Sequence, residues 1–256
     1  MDCLIRFLLL LSPLSGLLAV PVEVPVFELA QPFWDNACGI TPSPPPTDLI
    51  DSLDSTEDEQ DEFSEGNISW HEQLAKSLQK VRHQLKTARE LLVYKEFDKL
   101  YIEVRRGVLD RQYIPNWVPS KGDVEAILAV ETFTANEIAR YLPVLLTDLQ
   151  KFAVAFEQIY RDEYLSYDYS PRQQALHDLI GTLKQTLCEI ESALWSLDLS
   201  FGPAVGRTIM SQKERDVPDF THRMIRDNGV LFKYRDYLSG WNRLIRVKQL
   251  IRALKK

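Results

Sequence analysis

Glycine is scarce in this chain, with ten residues in 256. So low a count argues against a loop-rich β protein and against a fold built on a glycine-rich phosphate cradle. No Gly-x-Ser-x-Gly, His-Glu-x-x-His or Walker pattern occurs, so the signatures of a hydrolase nucleophile, a zinc protease and a nucleotide site are all missing. The four histidines, His71, His83, His177 and His222, pair with no other His, Cys or Glu at metal-ligand spacing. Glu189-Ile190-Glu191 places its carboxylates on two sides of one helix, which suits a solvated surface better than an acid–base pair. The expectation is a protein without enzymatic activity, cofactor or metal.

Long apolar runs are missing too, except at the start. Arg6 is followed by an apolar run from Phe7 to Leu11 that resumes at Leu14 and gives way to small residues. This is the pattern of a secretory signal peptide over residues 1–19, cleaved after Gly16 or Ala19. A transmembrane anchor is the alternative, but the run falls short of the ~20 residues a span needs and is broken by Ser12-Pro13. Secretion removes Cys3 and leaves Cys38 and Cys188. In an oxidising compartment these are a natural pair, the alternative being two free thiols.

What is present is charge, and it is segregated. The formal net charge is -7, yet residues 51–66 hold eight acidic side chains and no basic one. Residues 239–256 hold six Lys or Arg and no acid. Residues 20–68 combine prolines (Pro21, Pro25, Pro32, Pro42, Pro44, Pro45, Pro46) with that acidic, serine-rich tract. Such a composition buries too little apolar surface to offset ordering entropy, so it reads as largely disordered, with Cys38 tying down one point. Asn67-Ile68-Ser69 is a glycosylation sequon, with Asn67 as acceptor.

From residue 69 to 256 the apolar residues fall into four helical stripes. The first is Leu74, Leu78, Val81, Leu85, Ala88 and Leu92, a two-in-seven seam. Its register then slips by one onto Val93, Phe97, Leu100, Val104 and Val108, which predicts a kink or reset near Tyr94 before Gly107 and the run 113–119 end the helix. A short turn of helix follows Asp123. Thr134-Ala135-Asn136-Glu137 is a capping box, and behind it Ile138, Leu142, Leu145, Leu149, Phe152, Phe156 and Ile159 form the second seam. Pro143 inside that helix predicts a kink. Ser170-Pro171 opens the third helix, with Leu176, Ile180, Leu183, Leu187, Ile190, Leu194 and Leu197 as its seam and Gly202-Pro203 at its end. The fourth stripe is Leu231, Tyr234, Leu238, Trp241 and Ile245, drifting onto Leu244, Val247, Ile251 and Leu254. Its opposite face carries Lys233, Asp236, Arg243, Arg246 and Gln249.

Connection lengths suggest the topology. The link at 165–170 reaches about 20 Å when extended, and a helix of about 28 residues is about 42 Å long. The second and third helices are therefore antiparallel neighbours. The links near 111–133 and 199–218 can each run the full length of a bundle. Long, short, long predicts an all-α, up-up-down-down four-helix bundle with two long crossover loops. A plain up-down bundle with decorated loops is the alternative.

The start of the last helix carries a resemblance. Asp219-Phe220-Thr221-His222-Arg223-Met224, then Leu231-Phe232-Lys233-Tyr234 and Trp241, is similar to the last helix of the long-chain cytokines of the interleukin-6 class. The pattern lies nearest the ciliary neurotrophic factor and cardiotrophin-like branch. The arthropod unpaired-type cytokines share the class. In that class a Phe-x-x-Lys pair at this point contacts an immunoglobulin-like receptor domain. Phe220 matches the Phe, and Arg223 stands where the Lys would be, keeping the charge but not the compact ammonium. Phe232 and Arg235 repeat the Phe-x-x-Arg spacing.

The resemblance implies a secreted ligand that brings receptor ectodomains together and triggers Janus-kinase and STAT signalling. Phe220, Arg223, Lys233, Arg243 and Arg246 are the expected receptor-binding residues. The basic C-terminus is expected either to serve the helix dipole and solvation or to attract sulfated glycosaminoglycans; nucleic acid is not an expected partner. A second reading, from a different class, is a secreted helical carrier of lipid or another apolar ligand. That reading calls for an apolar cavity and gaps in the seams, whereas these seams are filled with large Leu, Ile and Phe.

Overall fold

The computed structural model describes residues 31–39, 69–129, 134–165 and 170–246. Pro32–Lys256 forms one compact unit. The expected signal peptide, the acidic tract, the sequon at Asn67 and the C-terminal residues 247–256 lie outside the described residues.

The described chain is all-helical. Four long helices dominate: α1 (Trp70–Tyr94), α2 (Ala135–Tyr164), α3 (Pro171–Ser196) and α4 (Phe220–Arg246). Each starts at a side-chain cap. The Ser69 hydroxyl accepts the Glu72 N–H at 3.3 Å, and the Ser170 hydroxyl accepts the Gln173 N–H at 3.1 Å. At Thr134 both arms of the capping box form: Thr134 Oγ1 accepts the Glu137 N–H at 3.3 Å, while Glu137 Oε2 accepts the Thr134 N–H at 2.6 Å. The Asp219 carboxylate accepts the His222 N–H at 2.8 Å. Each such cap satisfies an amide that the first turn leaves orphaned.

The four seams point inward. Leu74 to Leu92 on α1, Ile138 to Ile159 on α2, and Leu231, Tyr234, Leu238, Trp241 and Ile245 on α4 are all buried. On α3 only Ile180 is half-buried. The register slip near Tyr94 becomes a full stop rather than a kink. α1 ends there and Glu96 takes the left-handed conformation (φ 51°). The chain continues as short pieces, Phe97–Leu100, Ile102–Val104 and Arg105–Leu109. The new register cannot share one straight helix with the old one, because Val93 would face the core only if the helix rotated; it is instead exposed. α2 runs through Pro143 as one helix.

Contacts along the helices set their directions. Lys95, just after α1, pairs with Asp178 near the start of α3 at 2.5 Å, while Gln73 near the start of α1 donates to the Ser196 carbonyl at the end of α3. α1 and α3 are therefore antiparallel. On α4, Arg226 reaches Asp162 and Tyr237 reaches Asp148 on α2, so these two are antiparallel as well. α1 packs along α3 and α4, α2 packs along α3, and α1 scarcely touches α2. Between α2 and α4 an aromatic cluster fills the core: Tyr234 lies 4.9 Å from Phe152 and 5.0 Å from Phe156, and Tyr237 lies 5.6 Å from Phe152.

The link after α1 lies tight against α4. A Cβ on Gly229 would come within 2.4 Å of Ile114, and one on Gly240 within 3.0 Å of Val124 in the short helix Lys121–Leu128. Hydrogen side chains at these two positions let the link approach that closely.

One segment is more ordered than its composition suggests. Cys38 and Cys188 are disulfide-bonded, but the cystine is only part of the attachment. Trp34 is 1% exposed, and its indole N–H donates to the Val205 carbonyl at 2.8 Å. Gln150 donates to the Trp34 carbonyl at 3.1 Å. The buried Glu191 carboxylate accepts the N–H groups of Ala37 and Cys38 at 3.0 and 2.9 Å. Residues 32–38 are thus a turn built into the core by partners on α2, α3 and the link after α3. No periodicity inside the segment records those partners.

Candidate functional site

Apolar side chains that stay in water are candidate contacts for a partner. Twelve large hydrophobic residues are exposed among the described residues. Nine of them (Val93, Tyr94, Ile102, Leu109, Tyr113, Tyr164, Leu165, Phe220 and Phe232) come from the ends of α1 and α2, the link after α1 and the first half of α4. That bias toward one end makes it a candidate interaction surface.

Phe220 opens α4 and is 53% exposed. The Arg172 guanidinium sits over its ring at 5.8 Å and also faces the Tyr101 ring at 6.0 Å. Arg172 is held in turn by Glu163, which accepts its Nε–H at 3.0 Å and the Ser170 hydroxyl at 3.0 Å. One turn on, Arg223 is half-buried on the same face as Phe220. On another side of the same turn His222 stacks on Tyr113 with ring centres 3.8 Å apart. Phe220, Arg172 and Arg223 form an aromatic–cationic edge, the composition of a binding hot spot.

A second Phe–Arg pair lies three turns along. The Arg235 guanidinium is 4.7 Å from the Phe232 ring centre and pairs with Asp98 at 3.2 Å. Phe232 stands between a groove of about 220 Å3 lined by Val93 and Phe97 and one of about 830 Å3 lined by Leu109, Ile114 and Lys233.

Beneath the Phe220 edge is a buried ionic cluster that the stripe analysis did not find. Arg226 donates Nε–H to Asp227 at 2.7 Å, one Nη to the Glu214 carbonyl at 2.9 Å and the other to Asp162 at 2.5 Å. Arg226 and Asp227 are 1% and 2% exposed. Glu214 also accepts from the Trp117 indole at 3.0 Å, so both long links meet at this cluster. A signal was present in the sequence: Asp227 precedes Leu231 by four residues and lies on the same stripe, where only a paired charge is tolerated.

Burial pushes the Asp227 carboxyl up to about 7 from the ordinary carboxylate range, and Arg226 only partly offsets it. Arg226 is itself held charged: burial opposes this, but Asp227 and Asp162 outweigh it and its pKa is raised. Asp162 and Asp227 share one guanidinium while Glu163 is taken by Arg172, so Asp227 is the surplus acid. The folded state therefore binds a proton on Asp227 in a pH range where the unfolded chain does not. Its contribution to stability is fully present below the usual carboxylate pKa and is lost as pH rises through about 7. The melting temperature of the parent is expected to rise as pH falls from about 8 to about 5, and Asp227→Asn to flatten that slope. Thermal melts across that range check it; a parent that loses stability on acidification from pH 8 excludes the cluster as the controlling group.

The other expected residues lie elsewhere. The Lys233 ammonium is half-buried and clasps the link after α1, donating to the Pro115 and Val118 carbonyls at 2.7 and 3.2 Å. It does not share the solvated face that the helical stripe assigned to it. Arg243 and Arg246 are exposed at the far end of α4, about 35 Å along the helix from Phe220. Phe220 and Arg223 come together; the five do not form one site. Among the described residues no group of three His, Cys, Asp or Glu is placed to hold a metal ion, and no helix is long and apolar enough to cross a membrane. No family model, curated protein or solved structure matches the chain.

Proposed function

We propose that the chain is a secreted helical cytokine, resembling the interleukin-6 class, that brings cell-surface receptor chains together and triggers Janus-kinase and STAT signalling. The observation that carries this reading is Phe220: a large aromatic left in water, packed under Arg172 and beside Arg223, at the end of a bundle whose seams are closed. A large aromatic side chain left in solvent beneath a guanidinium suits a protein partner. The disulfide suits an oxidising compartment.

The helix directions support an up-up-down-down bundle with two crossovers. α1 and α2 each run antiparallel to α3, and so run the same way; α4 runs against α2. α1 packs mainly on α3 and α4 and only slightly on α2, which suits an arrangement in which parallel helices sit diagonally. The ends of the molecule then present separate surfaces, as a ligand that bridges two receptors requires.

The carrier reading would need a chamber. Among the described residues the seams pack as one core of large side chains, and the grooves beside Phe232 and beside Trp195 are partly open to solvent, which favours the signalling-ligand reading. The distinguishing experiment applies the purified mature protein to receptor-bearing cells with a STAT reporter and extracts the same preparation for lipid. Dose-dependent reporter activation with no stoichiometric lipid is expected. A co-purifying lipid at about one per chain, with a silent reporter, overturns the proposal in favour of the carrier.

A further inference from the structure

We propose that the outer face of α1 is a docking strip for sulfated polysaccharide, separate from the receptor-facing edge and independent of Arg243 and Arg246. From Lys76 to Arg89, fourteen consecutive residues contain five Lys or Arg and His83 but no acid, in a chain of net charge -7. The helix displays them in two adjacent rows: Lys76, Lys80 and His83, and Arg82, Lys86 and Arg89. Arg82 is half-buried and the other five are exposed. Lys76 and Lys86 have the flanking Glu72 and Glu90 at 3.1 and 3.5 Å, pairs that lie in open water and exchange readily. No ion pair holds Lys80, Arg82 or Arg89 among the described residues. The strip is about 20 Å long.

The chemistry of the strip selects its partner. No large apolar side chain is exposed on α1 before Val93. The helix has spent its apolar face on the core, so it cannot seat in a lipid surface as an interfacial amphipathic helix does. A protein interface would want aromatic anchors, and the strip has none. The cystine places the chain where nucleic acid is not the usual polyanion. What remains is a linear, hydrophilic polymer with repeated anions. Its sulfates would take charge-assisted hydrogen bonds from guanidinium and ammonium groups, and Gln79, exposed between the rows, adds a neutral donor. Since the whole chain is acidic, such binding depends on this local strip.

The test measures binding of the full mature chain to heparin against salt. The parent is expected to be retained at about 0.15 M salt, with log K falling linearly with log salt as counterions are released. Lys80→Gln with Arg82→Gln and Arg89→Gln is expected to weaken binding about tenfold or more and to reduce the slope by roughly 2–3, with helicity and melting unchanged. Arg243→Gln with Arg246→Gln should change it little. Three results overturn the proposal: elution of the parent below physiological salt, equal binding by the triple variant, or a loss seen only in the Arg243/Arg246 variant. A control that needs no variant uses desulfated heparin and phosphatidylserine vesicles. Capture by either as strong as by heparin also overturns it.

Discussion

Arg226→Met destabilises the folded chain by about 3–5 kcal/mol, the usual cost of removing one partner from a buried ion pair. In a protein of this size that lowers the melting temperature by roughly 6–20 °C. The magnitude follows from what is left behind. Arg226 fills three acceptors at once, on Asp227, Asp162 and the Glu214 backbone. Met restores the volume but satisfies none of them, and the Asp227 carboxylate is then stranded where water does not reach. Adding Asp227→Leu to Arg226→Met removes the stranded charge, so the double variant should recover a large part of the loss. The deficit of the single variant should also shrink in acid, where Asp227 takes up its proton. Urea denaturation of the two single variants and the double variant gives the cycle. A loss under about 1 kcal/mol for Arg226→Met would mean the cluster is solvated rather than buried.

The same cluster marks the boundary of what could be read from residue order. Periodicity finds apolar seams because burial selects for them at every turn, and each described seam position on α1, α2 and α4 lies in the core. Caps are legible for a similar reason: Thr134-x-x-Glu137 and Ser170-Pro171 carry their hydrogen-bond partners within three residues. Trp34 is the contrary case. Its partners, Gln150, Glu191 through the neighbouring amides, and Val205, lie more than a hundred residues away. Nothing in its short Pro-flanked surroundings announces them. Lys233 fails differently: a helical wheel marks it as solvated, but a loop folds over that face and takes the ammonium. At the candidate site, Phe220 and Arg223 were singled out by their resemblance to the Phe-x-x-Lys pair of the cytokine class, whereas Arg172, which covers the Phe220 ring, comes from another helix. Loop placement and interhelical pairing are long-range properties, and a periodic stripe on one helix does not encode them.

Phe220→Ala with Arg223→Ala is expected to leave secretion, helical content and melting close to the parent and to abolish receptor activation. The folded state has little to lose. Phe220 is mostly in water, and the Arg223 N–H that anchors the first turn belongs to the backbone, which the substitution keeps. Arg172 retains Glu163 and the Tyr101 ring when the Phe220 ring is gone. A receptor, by contrast, would lose the central aromatic and its neighbouring charge together; hot-spot residues of this kind each cost about 2 kcal/mol or more when truncated. Two such losses are on the order of a thousandfold in affinity. Phe232→Ala with Arg235→Ala, the other Phe–Arg pair on α4, serves as the comparison and should reduce activity far less. The measurement is a dose–response of the STAT reporter to the parent and both double variants, each purified and matched for helicity and melting. An active parent and a well-folded Phe220/Arg223 variant that is silent are expected. Full activity from that variant would contradict this receptor-site assignment.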